Sequence, residues 1–148
     1  MPNNKKKQKN KQGKVLIIDD EMMIREMYKD ILEAENLKVD VAANGKEGLN
    51  KLDKKNYDMV LLDIMMPVMD GMTMLANLKE KPPKKKQGAI MVLTNASPVM
   101  FDDIRHAYEG KMPEERKPEI KLLDCIVKSS ISPQQVVEKV KQAIKQKS

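Results

Sequence analysis

The amino-acid sequence predicts an α/β fold, a five-stranded parallel sheet with helices on both faces. Three observations carry this reading. Short apolar runs alternate five times with segments of helical periodicity. The first run, "VLII", is continuously apolar instead of alternating, which is the pattern of a strand buried on both faces. At 148 residues with a single cysteine, Cys125, the chain is long enough to bury a core without disulfides.

Each element follows in order. Residues 15–18 form the first strand, and Ile24, Met27, Tyr28, Ile31 and Leu32 recur at the spacing of a helix over 22–35. "LKVDVAAN" reads as the second strand and "GKEGLNKLDKK" as a shorter helix. "YDMVLLDI" is the third strand. "DGMTMLANLKE" is the third helix, stopped by Pro82 and Pro83, which supply no backbone donor. "AIMVLT" is the fourth strand, and Phe101, Ile104 and Tyr108 mark the apolar face of a helix starting near Pro98. "LLDCIV" is the fifth strand. The last helix, "SPQQVVEKVKQAIKQK", has Ser132 as N-cap and Pro133 in its first turn, with Val136, Val137, Val140 and Ile144 facing the core.

In open sheets of this kind, crossovers are right-handed and ligands gather at the carboxyl ends of the strands. That edge collects Asp19 and Asp20 after the first strand, Asp63 at the third, Thr94 at the fourth and Lys128 at the fifth. Two like charges about 4 Å apart repel by roughly 4 kcal/mol at an effective dielectric near 20, so three aspartates need compensation. A hard divalent cation such as Mg²⁺ supplies it, because it prefers oxygen ligands and keeps water or phosphate oxygens in its shell. Lys128 adds a second positive charge on a flexible stem, and Thr94 adds a hydroxyl. Together these groups suit a phosphoryl group moving onto a carboxylate nucleophile. Glu21 reads as a favourable charge at a helix start, not as a ligand.

The formal charge of +6 is local in origin. Five lysines and no acids lie in residues 1–12, which leaves 23 basic against 22 acidic residues elsewhere. Residues 1–12 are expected to be a disordered Lys-rich tail and 13–148 the folded domain. No specific nucleic-acid recognition follows. The apolar run at 15–18 is too short for a signal sequence or a membrane span, and the lone cysteine suits a reducing, cytoplasmic setting. The 13 methionines read mainly as core filler, with Met27, Met59 and Met91 at core-facing positions. His106 reads as a helix-surface residue.

The chain resembles the response-regulator receiver domains of two-component signalling over roughly residues 14–146. The residues that carry the resemblance are Asp19 and Asp20 in "VLIIDDE", Asp63, Pro67, Asp70 and Gly71 in "DIMMPVMDG", Thr94 in "MVLTNAS" and Lys128 in "CIVKSS". The resemblance implies a flavodoxin-like (CheY-like) doubly wound sheet of strand order 2-1-3-4-5. It implies that Asp63 accepts a phosphoryl group from a histidine kinase or a phosphotransfer protein. Mg²⁺ would be held by Asp20, Asp63 and the backbone carbonyl of Met65, with Asp19 acting through water. Lys128 would contact the phosphoryl oxygens and Thr94 would report them to the fourth helix, fifth strand and fifth helix, the face that meets a downstream protein. Pro67, Asp70 and Gly71 would shape the loop. The expected protein is a stand-alone switch and not an enzyme acting on other substrates, working as a monomer or a phosphorylation-dependent dimer. The alternative is a constitutive, phosphorylation-independent binding module.

This sequence also departs from the family pattern. Ser129 follows Lys128 where the family usually has proline, and a trans bond is expected there because a cis bond before a non-proline residue costs about 2.5–4 kcal/mol. Asn95 follows Thr94 where the family usually has Ala or Gly. Cys125 replaces a frequent aromatic and is expected to be a small buried strand residue. Met65 and Ala96 replace polar side chains that tune hydrolysis, which implies slow autodephosphorylation. The charged stretch 109–121 is longer than the family's usual link. Two enzyme classes fit less well: a haloacid-dehalogenase-type phosphatase needs an Asp where Met65 stands, and a flavodoxin-like electron carrier needs a phosphate loop where "DDEMM" stands.

Overall fold

The computed structural model describes residues 12–66, 68–95, 99–110 and 120–147. Its elements run β1 (Lys14–Ile18), α1 (Met22–Glu33), β2 (Lys38–Ala42), α2 (Gly45–Lys54), β3 (Met59–Leu62), α3 (Gly71–Glu80), β4 (Ala89–Thr94), α4 (Val99–Glu109), β5 (Lys121–Val127) and α5 (Pro133–Lys147). The five strands form one sheet, ordered β2-β1-β3-β4-β5, and every pairing is parallel. This is the doubly wound, CheY-like fold class predicted above. Most of the Lys-rich tail and of the 109–121 stretch lies outside the described residues.

The sheet separates two apolar cores. Leu16, Ile18, Val60, Leu62, Ile90 and Val92 pack on one face with Leu52 of α2, Met74, Leu75 and Leu78 of α3, and Ile104 and Tyr108 of α4. Val15, Ile17, Leu61 and Met91 point the other way, onto Tyr28 and Leu32 of α1 and Val136, Val137 and Val140 of α5. Period-two geometry assigns alternate residues to opposite cores, and helices cover both faces, so the central strands are apolar throughout.

Local chemistry sets the helix starts. Asn44 accepts from the Glu47 amide at 3.0 Å, and Asp70 accepts from the Thr73 amide at 2.8 Å. Ser132 caps α5 as expected. Its hydroxyl accepts from the Gln135 amide at 3.1 Å while the Gln135 side chain accepts from the Ser132 amide at 2.9 Å, a reciprocal capping box. On the edge strand β2, Asp40 accepts from the Tyr57 hydroxyl at 2.6 Å and from Lys55 Nζ at 3.2 Å.

Two burial expectations are corrected. Met27 is 37 % exposed, because α1 turns only its Tyr28 and Leu32 line fully onto the sheet. Met59 and Met91 are buried as expected. Cys125 is half-buried, since β5 is an edge strand with a register shift against β4 between Ile90 and Met91. His106 is exposed on α4. Among the described residues, no helix is long and apolar enough to cross a membrane.

Candidate functional site

The strand ends bring the predicted acids together. β1 and β3 are neighbours in register, with Ile18 beside Leu62, so the residues that follow them emerge side by side. Asp19, Asp20 and Asp63 each offer a carboxylate oxygen, and these oxygens lie within 4.8 Å of one another. Asp19 is 3 % and Asp63 5 % exposed, while Asp20 faces solvent. Glu21 stands outside this cluster as the N-cap residue of α1.

Each buried carboxylate is oriented from two sides. Asp19 Oδ1 accepts from the Glu21 amide at 2.9 Å, and Asp63 Oδ1 accepts from the Met65 amide at 3.1 Å, the same two-residue turn at both strand ends. Their other oxygens meet one cation. Lys128 Nζ lies 2.6 Å from Asp19 Oδ2 and 3.2 Å from Asp63 Oδ2. Burial pulls the ammonium pKa down, but the hydrogen bond and charge of Asp19, then the charge of Asp63, outweigh it, so Lys128 stays protonated. Burial also pushes the Asp19 carboxyl up. The hydrogen bonds from Lys128 and the Glu21 amide offset this only in part, and Asp19 remains above the usual carboxylate range.

Lys128 reaches the acids over a trans backbone, as expected with Ser129 after it. There is no cis peptide among the described residues, and Lys128–Ser130 forms a single 3₁₀ turn after β5. Thr94 is fully buried at the end of β4, in register with Val127, and so stands one residue away from Lys128 across the ladder. Beyond that last rung Asn95 Oδ1 accepts from the Ser129 amide at 3.1 Å. The two departures noted in the sequence therefore meet in one hydrogen bond.

The loop after Asp63 is held at Gly71 and Asp70. The Gly71 amide donates to the Ile64 carbonyl at 2.9 Å, and a Cβ at Gly71 would lie 2.6 Å from Ile64 Cα and 2.8 Å from the Asp63 carbonyl oxygen. Only glycine permits that approach. Met65 is 63 % exposed, and Val68, also exposed, adopts φ 69°, a left-handed conformation that β-branched residues avoid. Pro67 lies outside the described residues. One participant was missed from sequence: Arg25, on α1, donates from its guanidinium to the Asp19 carbonyl at 2.9 Å. Its six-residue separation matches no local motif.

The donor set fits Mg²⁺. Three carboxylates supply hard oxygens from one small volume, and the exposure of Asp20 leaves a solvent side for the waters that Mg²⁺ retains.

Comparison with known proteins agrees with this geometry. The response regulator receiver domain family matches residues 15–141. The chain therefore belongs to the response-regulator receiver family of two-component systems. The transcriptional regulatory protein ResD of Bacillus subtilis is 42 % identical over 81 residues, 55 % of this chain and 32 % of that protein, so the match spans about a third of the relative's length. The response regulator TrrA of Thermotoga maritima, solved in complex with Mg²⁺-BeF, is 32 % identical with a TM-score of 0.68, covering 89 % of this chain and 99 % of that one. TrrA has also been solved in complex with the histidine kinase ThkA; that structure gives a TM-score of 0.67 at 32 % identity, covering 89 % and 98 %.

Proposed function

We propose that this chain is a phosphorylation-activated signalling switch whose phosphoacceptor is Asp63. The observation that carries the reading is the buried Asp19–Lys128–Asp63 bridge beside the exposed Asp20, at the carboxyl edge of the sheet. The proposed donor is a phosphohistidine on a histidine kinase or a phosphotransfer protein, in keeping with the TrrA–ThkA complex.

In the proposed reaction Asp63 Oδ2 gives up its contact with Lys128 and attacks phosphorus, the P–N bond to histidine breaks, and the imidazole leaves with its electron pair. Asp63 is held for this by the Met65 amide, which fixes one oxygen, and by Lys128, which stays cationic. Asp20, Asp63 and the Met65 carbonyl would hold Mg²⁺ directly, and Asp19 would do so through water. When bound, Mg²⁺ neutralises charge on the phosphoryl oxygens. Lys128 exchanges a carboxylate contact for a phosphoryl contact, which loosens its bridge to Asp19. Thr94, one ladder position from Lys128, passes the change to α4, β5 and α5, the face proposed to bind a downstream protein.

The test is incubation with Mg²⁺ and acetyl phosphate, read by intact mass, for wild type and Asp63→Asn. Wild type is expected to gain one phosphoryl group and Asp63→Asn none. A wild type that gains none points to the constitutive binding module, and a gain that survives in Asp63→Asn moves the acceptor elsewhere.

A further inference from the structure

We propose that Asn95 is a positioning residue for the phosphoryl site: through its hydrogen bond to the Ser129 amide it fixes the backbone that carries Lys128. This rests on the function proposed above and assigns a role to a residue outside the acidic cluster. The β4–β5 ladder ends at the pair Thr94 and Val127. The next residues are Asn95, directly after β4, and Lys128, which opens the 3₁₀ turn Lys128–Ser130. At such a turn the first amides have no partner within the turn itself. Asn95 Oδ1 accepts from one of them, Ser129, at 3.1 Å, and so adds a side-chain rung where the backbone ladder has ended. Within the same turn the Ser130 hydroxyl donates to the Val127 carbonyl at 3.0 Å.

The consequence falls on Lys128. Its Nζ must reach two buried oxygens, at 2.6 and 3.2 Å, from a backbone lying between Val127 and Ser129. Val127 is fixed by the sheet, and Asn95 fixes Ser129. Asn95 is also the residue after Thr94, so one bond ties the side chain that follows the switch threonine to the amide that follows the switch lysine. The bond needs a side-chain acceptor at 95 and an N–H at 129. Alanine or glycine at the first position, or proline at the second, would remove one half of it.

The test is a double-mutant cycle on the full chain: wild type, Asn95→Ala, Ser129→Pro and the double variant. The readouts are the rate of phosphoryl gain from acetyl phosphate at fixed Mg²⁺ and the NMR signal of the Lys128 Cε methylene. Ser129 amide exchange is followed in wild type and Asn95→Ala. Asn95→Ala is expected to slow phosphorylation by about three- to tenfold, the scale of one net hydrogen bond. It should also shift the Lys128 signal and speed Ser129 exchange. In the Ser129→Pro background, where the donor is already gone, the same substitution should slow phosphorylation by less than about twofold. Equal slowing in both backgrounds, or unchanged Ser129 exchange in Asn95→Ala, overturns the proposal while the switch function stands. A wild type that gains no phosphoryl group overturns the switch function, and this role for Asn95 falls with it.

Discussion

Replacing Lys128 with methionine removes the ammonium and keeps a side chain of similar reach. In wild type that ammonium sits 2.6 Å from Asp19 and 3.2 Å from Asp63, and the oxygens of the acidic cluster lie within 4.8 Å of one another. At an effective dielectric near 20, two charges at that separation repel by about 3.5 kcal/mol. Removing one partner of a buried ion pair costs about 3–5 kcal/mol, which agrees. Lys128→Met is therefore expected to lose about 3–4 kcal/mol of folding stability at pH 7.5 in Mg²⁺-free buffer. The loss depends on pH. Burial already holds Asp19 above its ordinary value of 3.8, and the Lys128 hydrogen bond is the foremost influence pulling it back, so the variant raises it further. A carboxyl raised in the folded state gives stability that is full below pH 3.8 and lost as pH rises through the folded pKa. Lys128 remains charged throughout this window, its own pKa lying above 10.5. The difference between the proteins should thus be small near pH 4 and grow toward pH 7.5. Urea denaturation with a chelator present, at both pH values, measures it. The same loss at the two pH values, or a gain at pH 7.5, would refute the electrostatic account.

Three further outcomes follow from the geometry. Gly71→Ala places a methyl group 2.6 Å from Ile64 Cα, so the start of α3 must shift, and a loss of about 1–3 kcal/mol of unfolding free energy is expected in urea denaturation, with slower phosphorylation. Val68→Asn relieves a left-handed β-branched residue on the exposed loop and should gain about 1 kcal/mol by the same measurement. For Asp40, burial pushes the carboxyl up, but the Tyr57 hydroxyl and then Lys55 outweigh it and hold it below 3.8. That stability is present above pH 3.8 and fades as pH falls through the depressed value. Tyr57→Phe should accordingly cost about 1–2 kcal/mol at pH 7, reduced by the partial exposure of Asp40, and progressively less below pH 4.

The placement of the candidate site was legible in the sequence because each apolar run stops at a polar residue on the same edge. Once the runs are read as parallel strands, Asp19, Asp63, Thr94 and Lys128 have no other place to go. The strand order was legible only through family resemblance, since alternation alone admits several. What stayed hidden depends on side-chain reach across the sheet edge. Arg25 reaches the Asp19 carbonyl from a helix whose pattern reports only its buried stripe. The Asn95–Ser129 bond joins residues 34 apart, each of which looked like an isolated departure. Met27 was misplaced because helical spacing defines a stripe wider than the line that α1 buries.

The two-core construction also divides the helices between two compartments. α4 shares its compartment with α2 and α3, whereas α1 and α5 are sealed with each other on the far side of the sheet. The sheet is a partition, with few routes for strain to cross it apart from the strand ends. The change proposed to reach both α4 and α5 would therefore have to enter the two compartments separately, from the strand ends where Thr94 and Lys128 stand.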